Sequence, residues 1–370
     1  MNSYIQNLIN EQFNINNMDF SNNKPKHNIN IFNKNYMLPL EEIYNEILKT
    51  GKLSIDGFNI LQQNINTIKI KVKSPDDLKI VINAVSCSKY HKVSLNWLDV
   101  SGITDMTELF YKSIYDGDIS EWDVSNVKSM KQMFMRTKFN GDISGWNVSN
   151  VENMFQMFKT SQFTGNISKW DVSSVRNMGG MFRNSQFNGN ISGWNVSNVR
   201  NMSGMFYGSV FNGNISGWDV SNVRNMERMF TESVFNNDIS LWKVTNVKNM
   251  SYMFWDSRFN KNIYWWDVSN VTNMESMFVN SDFDQDISGW NVAGVKNMRS
   301  MFFKSKFNHD ISSWDVSNVK DMSYMFMKSS FNKDISGWDV SGVTTWNDIF
   351  AECDIKEQYK PKKFIQPKKK

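Results

Sequence analysis

Few side chains in this sequence could make or break bonds, and they do not converge. The histidines are His27, His91 and His309, and the cysteines are Cys87 and Cys353. No H-E-x-x-H, G-x-S-x-G or phosphate-cradling glycine loop is present. A nucleophile needs a neighbouring base and a metal needs several ligands at fixed spacing. On these grounds no enzymatic activity, no cofactor and no bound metal are expected.

What does recur, every 24 residues, is polar and charged side chains in register. Asp or Asn occupies one column at Asp123, Asn147, Asp171, Asn195, Asp219, Asp267, Asn291, Asp315 and Asp339, and a second at Asp118, Asp142, Asp238, Asp286, Asp310 and Asp334. Calcium takes about six to eight oxygens, several of them carboxylate, whereas more than a third of the places in these two columns hold neutral amides, the second column being Asn where it is not Asp. Turn side chains bonding their own backbone are the expected role. A third column is basic: Lys128, Arg176, Arg200, Arg224, Lys248, Lys296 and Lys320, broken by Glu152 and Thr272. Stacked coils would align it as a stripe able to track a sulfated glycan, a teichoic-type polymer or a nucleic-acid backbone. The alternative is a solvated edge balanced by neighbouring Asp, which the sequence favours because no aromatic column accompanies the stripe for base stacking.

One break in the pattern is pointed. Where the repeat usually carries Gly or Ser it reads Leu241 and then Trp265, with Tyr264 in place of the usual Ser and Lys243 in place of the usual Asp or Asn. On an open strand face these four make an apolar, partly aromatic patch of the kind that forms binding hot spots. Repeat drift, or neighbours packing as cross-strand pairs, is the alternative.

The elements that position these groups follow from the tryptophans. Trp122, Trp146, Trp170, Trp194, Trp218, Trp242, Trp266, Trp290, Trp314 and Trp338 lie 24 residues apart without an insertion. With Trp as position 1, the unit reads W-D-V-S-N-V-x-N-M-x-x-M-F-x-x-S-x-F-N-x-D-I-S-G, which puts the basic column at position 7 and the irregular Leu241 and Trp265 at position 24. No single unit can bury Trp 1, Val 3, Val 6, Met 9, Met 12, Phe 13, Phe 18 and Ile 22, but stacking turns each column into a ladder. The alternation in W-D-V predicts a strand. The spacing of three and four from Val 6 onward predicts a helical or 3-10 turn, N-capped by Asn at position 8 (Asn153, Asn177, Asn201, Asn225, Asn249, Asn273 and Asn297). The expected fold is a leucine-rich-repeat-like solenoid with one short β-strand and one such turn per coil. Asn at position 5 would form a ladder to backbone groups, interrupted at Ser174, Gly294 and Gly342. A degenerate opening coil begins at Trp97, with Leu98 as an insertion.

WDVSNV at Trp122 and Trp314, WDVSNVTNM at Trp266 and FNGDISGW at Phe139 resemble the short leucine-rich repeats of the BspA-like bacterial surface proteins, from about Trp97 to Phe350. The resemblance implies a solenoid and, for exported members, adhesion or host interaction at the cell surface. It supplies neither a catalytic residue nor a ligand.

Four segments are expected. Residues 1–37 are an Asn-rich mobile leader, and 38–96 an α/β N-terminal cap with a helix from Leu40 that ends before Gly51, a strand at Ile68 to Val72 and a helix opened by Ser74 and Pro75. Residues 97–355 are the solenoid with its terminal coils, and 356–370 a disordered tail rich in Lys and Pro. The net charge is +4, much of it in that tail, so nucleic acid is not an expected partner. No stretch reaches the roughly 20 apolar residues of a membrane span. MNSYIQNLINEQFNINN has neither the basic start nor the apolar centre of a secretory signal, so no export address is visible and the compartment stays open. Cys87 and Cys353 flank the array too far apart for a disulfide. The function expected is a monomeric, non-catalytic scaffold that binds another protein or a surface glycan. The alternatives are a polyanion binder using the basic stripe and a passive structural spacer.

Overall fold

The structure is a computed structural model that describes residues 29–62, 69–87 and 89–365. Helix α1 (Ile29–Thr50) comes first, then α2 (Ile55–Leu61), β1 (Ile70–Lys71), α3 (Pro75–Val85) and β2 (Leu98–Asp99). α1 buries Leu40, Ile43, Tyr44 and Ile47 on one face. It ends where Gly51, in the left-handed region at φ 67°, donates its N–H to Ile47 O at 2.8 Å. The helix begins earlier than expected and runs through Pro39, so residues 29–37 belong to it and not to a mobile leader. The rest of that expectation lies outside the described residues. α2 is an element the apolar spacing did not reveal; Ser54 caps it by accepting from Gly57 N. Ser74 caps α3 in the same way through Asp77 N, as its sequence predicts.

β1 pairs in parallel with β2, Ile70 opposite Leu98, so the cap adds a row to the first coil and covers its edge. One continuous core runs from Leu40 to Ile355. Ten parallel bridges, each joining residues 24 apart from Asp105↔Ser129 to Asp321↔Thr345, link eleven coils. At about 4.8 Å per row the stack is on the order of 50 Å long. The first bridge also corrects the opening coil. Leu98 occupies the tryptophan column itself and is no insertion, while Trp97 turns to the cap and meets Tyr44 edge-on at 6.5 Å.

Apart from β2 at Leu98–Asp99 in the opening coil, the coils hold neither the expected W-D-V strand nor a helical or 3-10 turn. In the coil of Trp146, alternate amides donate to the next coil: Met154 to Asn177 O (2.9 Å), Gln156 to Gly179 O (2.8 Å), Phe158 to Met181 O (2.9 Å) and Thr160 to Arg183 O (2.7 Å). The ladder therefore occupies positions 8 to 15. Residues 11 and 15 of each coil are left-handed, for example Gln156 at φ 54° and Thr160 at φ 55°. Each closes a four-residue turn, Met154 O to Met157 N–H (3.1 Å) and Phe158 O to Ser161 N–H (3.2 Å). These turns bend the chain too often for a helix. W-D-V is bent as well, because the position 2 carboxylate or amide accepts from the N–H two residues on, Asp123 from Ser125 at 3.0 Å. Position 8 Asn does the same, Asn153 accepting from Phe155 N at 3.0 Å. It makes an Asx turn beside the bridge and caps no helix.

The columns stack face to face. Trp122 and Trp146 lie 6.4 Å apart and 3° from parallel. From Trp146 onward each column indole N–H donates to the carbonyl of the Ile 27 residues earlier, Trp146 Nε1 to Ile119 O at 3.1 Å, while Trp122 Nε1 donates to Leu95 O at 2.9 Å. Asn at position 5 donates down the stack, Asn126 Nδ2 to Ser101 O at 2.9 Å and Asn198 Nδ2 to Ser173 O at 2.7 Å.

At the far end, residues 356–365, expected as disordered tail, fold back as a lid. A 3-10 turn (Glu357–Tyr359) and α4 (Lys362–Ile365) cross the last coil. Ile335 N–H donates to Tyr359 O at 3.0 Å, and the Phe364 ring packs on Trp346 and Phe350. Lys363 Nζ donates to three carbonyls, Val340 (3.0 Å), Ser341 (3.1 Å) and Val343 (2.7 Å). Lys and Pro composition hides this, because the tail's few apolar residues are the ones that dock. Cys87 and Cys353 are free thiols. No helix among the described residues is long and apolar enough to cross a membrane.

The Asx turns carry a pH prediction. At position 2 the hydroxyl of the following Ser, then its N–H, holds Asp123, Asp171 and Asp219 below the usual carboxylate range. At position 21 the Ser N–H, then its hydroxyl, does so for Asp142, Asp238 and Asp310. A depressed folded value stabilises fully above the unfolded value of about 3.9 and is lost as pH falls through the folded one. The melting temperature is therefore expected to be level above about pH 5 and to fall below about pH 4. Replacing Asp123, Asp171 and Asp219 by Asn, which makes the same turn uncharged at Asn147 and Asn195, should flatten that acid limb. Melting followed by circular dichroism across pH checks it; an unchanged acid limb would remove the turns as the cause.

Candidate functional site

Leu241 and Trp265 are the most exposed large apolar side chains among the described residues, at 82% and 81%. Each is the second central residue of a four-residue turn, closed by Trp242 N–H to Ile239 O and Trp266 N–H to Ile263 O, both at 3.1 Å. The patch thus lies on a turn edge, off the ladder face, and that is why the side chains stand out. Tyr264 meets Trp265 edge-on at 4.9 Å and lies over Gly289, where an added Cβ would sit 2.7 Å from the ring. The glycine of the following coil therefore gives the tyrosine its seat. Lys243, also exposed, cannot accept the Asx-turn bond made elsewhere at position 2. Leu241 and Trp265 occupy the same column in neighbouring coils, with Lys243 and Tyr264 within two residues of them in the chain.

The position 7 column is aligned by its own backbone: Arg176 N–H donates to Glu152 O, Arg200 to Arg176 O and Arg224 to Arg200 O, each at 2.9 Å. With the Asn column at position 5 it lines a polar groove of about 430 Å³ that runs from Lys128 to Arg224. Within it Arg176 pairs with Glu152, and Lys128 Nζ rests on Asn150 Oδ1 at 3.4 Å. Further along, Lys248 Nζ donates to Asn270 Oδ1 at 3.0 Å. Arg200 and Arg224 have no ion-pair partner among the described residues. The groove presents cations and amide oxygens and almost no apolar surface.

The two Asp/Asn columns are spent on turns, and among the described residues no three His, Cys, Asp or Glu side chains converge on a point that could hold a metal. One surface escaped the sequence reading. Positions 10, 11, 14 and 15 carry a network in place of constant residues. Arg183 lies over the Tyr207 ring at 4.0 Å, and Tyr207 Oη donates to Glu232 at 3.0 Å. Arg228 lies over Tyr252 at 4.4 Å, and Tyr252 Oη donates to Glu275 at 2.7 Å. Burial and then the carboxylate bond push both phenols above their usual range. The available signal was variability itself: between the invariant Met 9, Met 12 and Phe 13 these columns change residue from coil to coil.

No curated protein and no solved structure matches the chain. Three overlapping segments, residues 80–190, 184–281 and 256–363, match a single family. They span the end of the cap, the whole array and the start of the closing lid. This chain belongs to the repeat-containing family described as Mycoplasma protein of unknown function, DUF285.

Proposed function

We propose that this protein is a monomeric, non-catalytic binding scaffold of the BspA-like, short leucine-rich-repeat kind, which recognises another protein or a surface glycan at the cell surface through the turn edge formed by Leu241, Lys243, Tyr264 and Trp265. The observation that carries the reading is the exposure of Leu241 and Trp265 side by side in a column that is Gly at Gly145, Gly193, Gly217, Gly289 and Gly337. Removing apolar area from water contributes about 25 cal/mol per Å², so an exposed aromatic pair beside a lysine is surface that a partner can use. The likeness of the repeats to those of exported adhesins supports the location.

The test is the variant Leu241→Gly, Tyr264→Ser, Trp265→Gly, which restores the ordinary repeat. On arrays of immobilised glycans and extracellular proteins the parent is expected to bind and the variant to lose at least tenfold in affinity, about 1.4 kcal/mol, with an unchanged melting temperature. Equal binding would remove the patch from the site, and no binding by either protein would leave a passive spacer. Gly289→Val should act more gently. By unseating Tyr264 it is expected to weaken binding severalfold while the array stays folded.

A second reading rests on the groove at position 7, where Arg200 and Arg224 stand unpaired at the row spacing of about 4.8 Å. A polyanion held there would lose affinity steeply between low and physiological salt. Binding at the Trp265 edge would change little.

A further inference from the structure

We propose that Arg136, Lys159 and Arg183 form a second binding site, on the ladder face, for a tetrahedral oxyanion: a sulfate or phosphate monoester carried by the ligand. The three belong to successive rungs. Arg136 N–H donates to Lys159 O at 2.9 Å, and Thr160 N–H donates to Arg183 O at 2.7 Å, so the rows lie about 4.8 Å apart and long side chains from all three can reach one anion. None has an ion-pair partner among the described residues. The site differs from the groove, because Lys159 and Arg183 lie seven residues beyond Glu152 and Arg176 in the same coils.

Two further observations point to a ligand. Arg183 is positioned by contacts within the chain, over the Tyr207 ring at 4.0 Å, with Tyr207 itself tied to Glu232 at 3.0 Å. Its Nε is enclosed there without an acceptor, so the guanidinium is partly desolvated and has no direct ion pair, a state that an anion at its terminal nitrogens offsets. Lys159 is half-buried, and burial, then Arg183 and Arg136, hold its ammonium below the usual lysine range. Beside the cations the exposed side chains of Thr160 and Asn184 add neutral donors. A carboxylate has two oxygens to share, whereas this many donors on three rows suits the larger set of a sulfate or phosphate group.

The full chain is titrated with inorganic sulfate, inorganic phosphate and a sulfated disaccharide at an ionic strength held constant with chloride. Affinity is read by calorimetry, and the Lys159 pKa by NMR of its Cε methylene. Saturable binding with an upward shift of the Lys159 pKa is expected. Lys159→Gln and Arg136→Gln should each weaken binding about tenfold or more, while the double variant Arg200→Gln, Arg224→Gln binds as the parent does. Stronger binding of the disaccharide assigns the site to a sulfated glycan and stronger binding of phosphate to a phosphorylated polymer; both support it. A response no greater than that of chloride, full affinity in Lys159→Gln, or loss of binding in the groove variant instead would overturn it.

Discussion

Phe230→Ala is expected to destabilise the array by about 3 to 5 kcal/mol, the range for removing a fully buried phenylalanine from a core that cannot collapse around the gap. Phe230 is wholly buried. It stacks on Phe206 and Phe254 in the neighbouring coils, each at 5.8 Å, and on Phe235 in its own coil at 4.4 Å. The hole therefore opens to both sides of its coil. In a quasi-one-dimensional stack the loss is felt by the two adjoining interfaces and not evenly along the chain. Hydrogen exchange should accelerate first in the coils of Trp194, Trp218 and Trp242. Phe350→Ala, at the partly buried end of the same column, should cost less. A loss under 1 kcal/mol for Phe230→Ala in denaturant titration would mean that the column contributes little to stability.

A chain ending at Ile355 is expected to associate end to end. The missing segment supplies Phe364, which covers Trp346 and Phe350, and Lys363, whose ammonium satisfies the carbonyls of Val340, Ser341 and Val343. Without them the last coil shows an apolar edge and a row of free backbone acceptors, the conditions under which stacked rows recruit another chain. Sedimentation velocity should show oligomers that grow with concentration, against a monomer for the parent. Lys363→Met, which keeps the packing, should cost about 1.5 to 3 kcal/mol for the charged bonds without marked association. A truncated chain that stays monomeric would show that the lid is dispensable.

What the sequence made legible was the set of residues that touch from coil to coil. Trp, Met and Phe at a constant 24-residue spacing can all be buried only if the coils stack, and the Asn ladder at position 5 follows from the same register. The backbone path between those residues was not legible. Alternation in W-D-V fits a strand as well as the bent segment that its Asx turn produces, because both send Trp and Val inward. The two left-handed residues of each coil gave little warning. They are drawn from many residue types, Glu, Lys, Gln, Arg, Tyr, Asp, Ser and others, and only Gly180, Gly204 and Gly208 among them are the glycine that this conformation favours. Leu241 and Trp265 stand out in the sequence because they depart from a column that is mostly Gly or Ser. Arg136, Lys159 and Arg183 were passed over because they sit in columns that vary everywhere.

The central claim, that recognition lies at the irregular turn edge and not in the regular columns, is tested most directly by fluorine NMR of the chain labelled with 5-fluorotryptophan. The column tryptophans are nearly fully buried, while Trp265 stands open, and Trp265→Phe identifies its resonance by removing it. On addition of the partner that scores highest on the arrays, the Trp265 line is predicted to shift or broaden while those of Trp122 through Trp338 in the column stay in place. A partner that binds, perturbs the column lines and leaves Trp265 unmoved would contradict the account.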